Sequence, residues 1–224
     1  MSMYWILFIG IALVSYLVQS NLKRKFEVYS RQPCSLSGRE VAEMMLHAHG
    51  IYDVKVISTS GRLTDHYNPT DKTVNLSEDV YASYSVAAAA VAAHECGHAV
   101  QHACAYGPLK MRSALVPAVS FASSWMQWVL LIGIFTVQTF PQILLGGIIL
   151  FAMTTLFSFI TLPVEINASM RATQWLRQAG IVSPAAYPMA VDALRSAAYT
   201  YVVAALSSLA TLVYYVSIFL GRRE

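Results

Sequence analysis

The sequence predicts a mainly α, integral membrane fold: about four transmembrane helices and a small α+β domain with a short β-hairpin or sheet. Three observations carry this. Of the 224 residues, 56% are hydrophobic and only 12% charged, where an ordinary soluble chain has about a quarter charged. The charges are also unevenly spread, with no Asp, Glu, Lys or Arg between Arg112 and Glu165 or from Ser196 to Gly221. A soluble core helix does not need such a run, whereas a bilayer-spanning helix needs about 20 apolar residues. Third, capping and turn signals gather in the polar stretch 20–112.

The spans follow in order. Met3–Val18 reads as an anchor rather than a cleaved signal peptide. No basic residue precedes it, and the flank Asn21, Lys23, Arg24, Lys25 lacks a small-residue cleavage pattern. The uncharged run from Ser113 to Val164 is long enough for two helices, one around Leu115–Phe140 and one around Ile143–Leu162, with Pro141-Gln142 as the turn. Ala197–Leu220 is the fourth. Trp125, Trp128, Tyr214 and Tyr215 suit interfacial belts. The expected organisation is an anchor (1–20), a polar domain (21–112), two spans (113–164), a connector (165–196) and a last span (197–224).

Charge orients these segments. Lys23, Arg24, Lys25 and Arg31 follow the first span, Lys110 and Arg112 precede the second, and Arg171, Arg177 and Arg195 follow the third. The loop near Thr136–Gln142 has none, so the positive-inside rule places 20–112 and 165–195 in the cytoplasm. Arg222 and Arg223 conflict with that rule if the last span crosses fully. The net charge of +3 comes without any arginine-rich, aromatic-interleaved tract, which excludes a nucleic-acid partner. Three widely spaced cysteines, Cys34, Cys96 and Cys104, argue against a disulfide framework.

Within the polar domain, Ser37-Gly38-Arg39-Glu40 has capping-box spacing, Val41, Met44, Met45 and Ala48 follow at helical intervals, and Gly50 is the stop. Val54–Ile57 reads as a short strand, Gly61 opens a second over Leu63–Tyr67, and Asn68-Pro69-Thr70-Asp71 turns the chain into Thr73–Leu76. Ser77 is placed to cap a long helix running from Glu78 towards Cys104.

That helix contains His94-Glu95-Cys96-Gly97-His98. Residues i and i+4 share a helix face, so both imidazoles can converge on one tetrahedral metal ion, Zn2+ being the natural choice. Glu95 lies about 100° round from His94, within reach of a metal-activated water whose proton it can accept as general base. The setting is apolar, where two unpartnered histidines and a glutamate are expensive to bury. Cys96 lies about 200° round and points away from the metal, towards packing. His47 and His49, near a helix end, read as surface residues.

A catalytic zinc needs a third protein ligand. A histidine six residues beyond His98 would serve, but that position is Cys104. His102 lies a further turn, about 6 Å, along the axis. Glu165 is the sole acidic residue between Glu95 and Asp192 and emerges at the end of the third span. A flanking interfacial charge is the plain alternative for it, and its isolation favours the ligand role.

The motif, together with Pro163-Val164-Glu165-Ile166-Asn167-Ala168-Ser169-Met170-Arg171-Ala172 and Gly61-Arg62-Leu63-Thr64-Asp65-His66-Tyr67, resembles the YugP-type bacterial membrane zinc metallopeptidases. The resemblance covers nearly the whole chain. It implies a zincin-like domain in a multi-pass protein of the bacterial plasma membrane, with a gluzincin-like site of His94, His98 and Glu165 on one zinc. Many gluzincins have an Asp four residues after the ligand glutamate to orient a histidine; Ser169 stands there, so Asn167 and Ser169 share candidacy for that role. Tyr201-Val202 at the start of the last span is similar to the same family and makes Tyr201 the candidate oxyanion donor, with Arg171 and His66 as alternatives.

The expected function is a zinc-dependent endopeptidase acting on a protein or peptide substrate at the bilayer surface, its site facing the cytoplasm. Leu63–Tyr67 is the candidate edge strand for an extended substrate, and a regulatory membrane protein partner is left open. The competing reading is a zinc-binding scaffold without turnover, which has no need of Glu95. A transporter would carry ionisable residues inside its spans, and the second and third have none.

Overall fold

A computed structural model describes residues 2–221, with side chains from Trp5 onward. The order is α1 (Ser2–Tyr29), α2 (Gly38–Ala48), β1 (Lys55–Thr59), β2 (His66–Asn68), β3 (Thr73–Ser77), the short α3 (Glu78–Tyr81), α4 (Val86–Ala103), α5 (Gly107–Thr136), α6 (Pro141–Gln178) and α7 (Tyr187–Gly221). This is the expected class: mainly helical, with a small sheet and, among the described residues, four helices long and apolar enough to cross a bilayer. Those four are Trp5–Tyr29, Gly107–Thr136, Pro141–Gln178 and Tyr187–Gly221.

Each helix runs well past the apolar stretch that announced it. At 1.5 Å per residue, the 38 residues of α6 extend about 57 Å, against about 30 Å of hydrocarbon. The turn between α5 and α6 is also displaced from Pro141-Gln142 to residues 137–140, closed by Phe140 N–H donating to Thr136 O at 2.7 Å. Pro141 instead opens α6, where its fixed φ suits the helix and its missing N–H costs nothing. Arg222 and Arg223 lie outside the described residues.

The chain forms two compact units. One comprises residues up to Tyr16, Lys110–Leu162 and Tyr201 onward. There α5 and α6 approach closely at small residues: a Cβ on Gly133 would sit 2.6 Å from Leu144 Cα, and one on Gly147 2.8 Å from Leu130 Cδ2. Close approach at glycine is how helices gain contact in lipid, where burying apolar surface gives no advantage. The hydroxyls of Thr155 and Ser208 tie α6 to α7 at 2.6 Å. Trp125, Trp128, Phe135 and Ile149 face outward, an apolar surface suited to acyl chains.

The other unit comprises Leu17–Leu109 and Pro163–Thr200. Its core joins Val41, Met45 and Leu46 of α2, Val74 and Leu76 of β3, the alanine face of α4, Ala172 and Leu176 of α6, and Leu194 of α7. The capping box closes α2 as expected: Glu40 N–H donates to Ser37 Oγ at 3.3 Å and Ser37 N–H to Glu40 Oε2 at 2.7 Å. Gly50 ends the helix with φ +70°. In the three-stranded sheet β3 is central, parallel to β1 and antiparallel to β2.

Two local expectations are corrected. Residues 63–65 are not strand, because φ is positive at Gly61 (+100°) and Leu63 (+59°), and pairing starts only at His66. The helix expected from Glu78 onward is broken after Tyr81, and α4 starts afresh at Val86. Ser77 makes no side-chain capping bond to the helix that follows it, and its hydroxyl and N–H both donate to Asp65 Oδ1, at 3.1 and 2.8 Å. Ser85 caps α4 instead, accepting from Ala88 N–H at 3.2 Å.

Candidate metal centre

His94, His98 and Glu165 come together in the second unit. Each offers one ligand atom, and the three atoms lie within 4.8 Å of one another. Glu165 Oε2 stands 3.3 Å from His94 Nε2 and 3.5 Å from His98 Nε2. The two rings meet edge-on, 4.9 Å between centroids. Glu165 is 3% exposed, His98 9% and the adjacent Glu95 8%. Two imidazole nitrogens and one carboxylate oxygen in a nearly dry recess are the donor set of a three-ligand zinc site with its fourth position open. The residues present therefore fit the metal.

Charge is concentrated in this recess. Burial opposes the imidazolium form of His98, but the Glu165 hydrogen bond and the negative charges of Glu95 and Glu165 outweigh it, so the pKa is raised. The same negative surroundings that favour a proton favour a metal cation, and the two compete for the imidazole lone pair.

The other ring nitrogens have partners of their own. Ser169 Oγ lies 3.1 Å from His94 Nδ1, and Gln101 Oε1 lies 3.0 Å from His98 Nδ1. Gln101 Nε2 donates to Val164 O at 2.8 Å and Asn167 Oδ1 at 3.0 Å. Both residues weighed in place of the missing Asp therefore lie here, Ser169 against one histidine and Asn167 one step removed from the other. Sequence reasoning missed Gln101. The available signal was its place three residues after His98, on the same helix face.

None of the remaining candidates is among the three residues whose ligand atoms converge. His102 is exposed and its Nδ1 is 2.7 Å from Tyr67 Oη. Cys104 is exposed, with Sγ 3.5 Å from Gln101 O. Cys96 is fully buried, donates to Ala42 O at 3.5 Å, and burial pushes its thiol well above the usual range, so it packs rather than ligates. Arg171 Nε is engaged by Asn167 Oδ1 at 2.8 Å. His66 is exposed on β2, its Nδ1 2.7 Å from Thr64 O. Tyr201, 38% exposed, belongs to the first unit. His47 and His49 are on the surface at the end of α2.

Gly97 allows the ligand-bearing helices to meet. A Cβ there would fall 2.6 Å from the backbone oxygen of Ala168 and 3.1 Å from its Cα. Gly97→Ala is therefore expected to force α4 and α6 apart and to cost about 1–3 kcal/mol of stability, as overpacking does. Because Ala168 lies one turn beyond Glu165, zinc content should fall as well. Thermal unfolding and metal analysis of the variant check both.

The profile of a family described as "Putative neutral zinc metallopeptidase" matches residues 4–220, and the chain belongs to that family. It is similar to the "Putative membrane protease YugP" of Bacillus subtilis (strain 168), with 42% identity over 220 residues covering 94% of each chain. No solved structure gives a significant match.

Proposed function

We propose that this protein is a membrane-bound, zinc-dependent endopeptidase of gluzincin type, in which His94, His98 and Glu165 hold the metal and Glu95 is the general base. The observation that carries the reading is the buried carboxylate of Glu165 between the Nε2 atoms of two histidines one turn apart, with Glu95 beside them. A bound zinc supplies Lewis acidity, which lowers the pKa of water and polarises a carbonyl. Glu95 takes the proton of the attacking water on its carboxylate and returns it to the leaving amine.

An extended protein or peptide substrate suits β2, an edge strand of the sheet. The edge is shorter than Leu63–Tyr67 and begins at His66. Tyr201 is proposed as the oxyanion donor on the family resemblance of its segment, with Arg171 and His66 as alternatives. The family resemblance supports a plasma-membrane location, and the positive-inside rule supports a site that faces the cytoplasm.

In detergent, the purified protein is expected to cleave unstructured peptides, to lose this activity to a chelator and to regain it with zinc. In that assay Tyr201→Phe should lower the turnover number about a hundredfold, the order seen when an oxyanion donor is removed. Turnover that persists in metal-free protein contradicts the proposal. For topology, single-cysteine variants at Lys72 should resist a membrane-impermeant thiol reagent in intact cells, whereas variants in 136–142 should react. The opposite pattern reverses the orientation.

A further inference from the structure

The amide of Gln101 is fully buried and lies between two elements of the candidate centre. Its orientation is set by its neighbours. Val164 O is a backbone carbonyl and only accepts, so the amide nitrogen must face it, at 2.8 Å. Asn167 Oδ1 is fixed independently, because Arg171 Nε only donates and reaches it at 2.8 Å. The Asn167 oxygen therefore accepts from Gln101 Nε2 as well, at 3.0 Å. Both constraints turn Gln101 Oε1 towards His98 Nδ1, 3.0 Å away. An oxygen at that place demands the proton on Nδ1, leaving the Nε2 lone pair towards Glu165 and any cation beside it.

We infer that Gln101 is a positioning residue for the metal centre: one buried amide fixes the tautomer of His98 and pins the turn of α6 that presents Glu165. Val164, which the amide holds, is the residue next to that ligand. His94 is treated differently. Its partner, the Ser169 hydroxyl, can donate or accept and so imposes no tautomer. The inference rests on the reading of His94, His98 and Glu165 as ligands, and predicts an asymmetry between the two histidines.

The test uses the full chain in detergent, with zinc affinity from chelator competition and the visible spectrum of the cobalt(II)-substituted protein. Gln101→Leu, of similar size but without polar atoms, is expected to weaken zinc binding about 10–100-fold, as loss of a partner to a ligating histidine does, and to alter the cobalt spectrum. Gln101→Glu keeps an acceptor for His98 but sets an oxygen against Val164 O and Asn167 Oδ1, so it should destabilise the metal-free protein while losing less zinc affinity than Gln101→Leu. Ser169→Ala should remain within a few-fold of wild type. If Gln101→Leu fails to accumulate, Gln101→Asn carries the same expectation, since its oxygen is withdrawn by one methylene. A packing role alone would lower the melting temperature of metal-free protein and leave the cobalt spectrum unchanged, which overturns the inference. So does a Gln101→Leu variant that folds and binds zinc as tightly as wild type. Wild-type protein that binds no zinc overturns the ligand assignment itself, an outcome separate from either of these.

Discussion

Replacing Glu95 with Gln is expected to reduce peptide hydrolysis by about 10²–10⁴-fold while zinc stays close to stoichiometric. The substitution keeps the shape of a residue that is 8% exposed, so little repacking follows. An amide cannot take up the proton of the attacking water, so the base is removed while the side chain keeps its shape. Glu95 is outside the group of three whose ligand atoms converge, so metal retention is the expected partner of lost turnover. The variant also loses one of the charges that raise the His98 pKa. Turnover on a peptide mixture and metal content measured on one preparation decide the matter, and retained turnover sinks the mechanism. Comparing membrane proteomes of cells with wild-type protein and this variant would then reveal substrates as peptides that accumulate.

Glu165→Ala should have the opposite signature, with metal and activity lost together. Its carboxylate is 3% exposed and faces both Nε2 atoms, so removing it leaves two imidazoles on one face of α4 and nothing opposite. Partners that merely orient a ligand are worth about 10–100-fold in metal affinity, and losing a direct ligand should exceed that. His102→Ala and Cys104→Ala should leave zinc content unchanged, because both side chains are exposed and bonded elsewhere. Zinc analysis giving the reverse order would mean that α4 distorts to bring one of them in, against the gluzincin arrangement.

The long apolar runs and the five-residue motif made the membrane class and two histidines of the cluster legible, because burial in lipid and i,i+4 spacing leave direct marks on sequence. Glu165 was legible by its isolation among uncharged neighbours. The helix break at Ala82–Ser85 was not, since Ser77 and Ser85 both carry a capping residue's chemistry and only Ser85 makes the capping bond. The strand start at His66 was hidden likewise, by a positive φ at Leu63, a residue type with no local preference for it. Gln101 escaped notice because its role depends on Val164 and Asn167, more than sixty residues away in sequence.

The close approach at Gly97 also bears on how freely the motif can vary. Written as a pattern, it leaves two positions blank between the first glutamate and the second histidine. Here neither blank is open. Cys96 is fully buried with its sulfur against Ala42 O, and Gly97 has the backbone of Ala168 where a side chain would begin. Mutational tolerance at these two sites should thus be as narrow as at the chemical ones, for steric reasons alone. Transplanting the five residues onto another helix would fail unless the host offered a groove of small residues on both flanks.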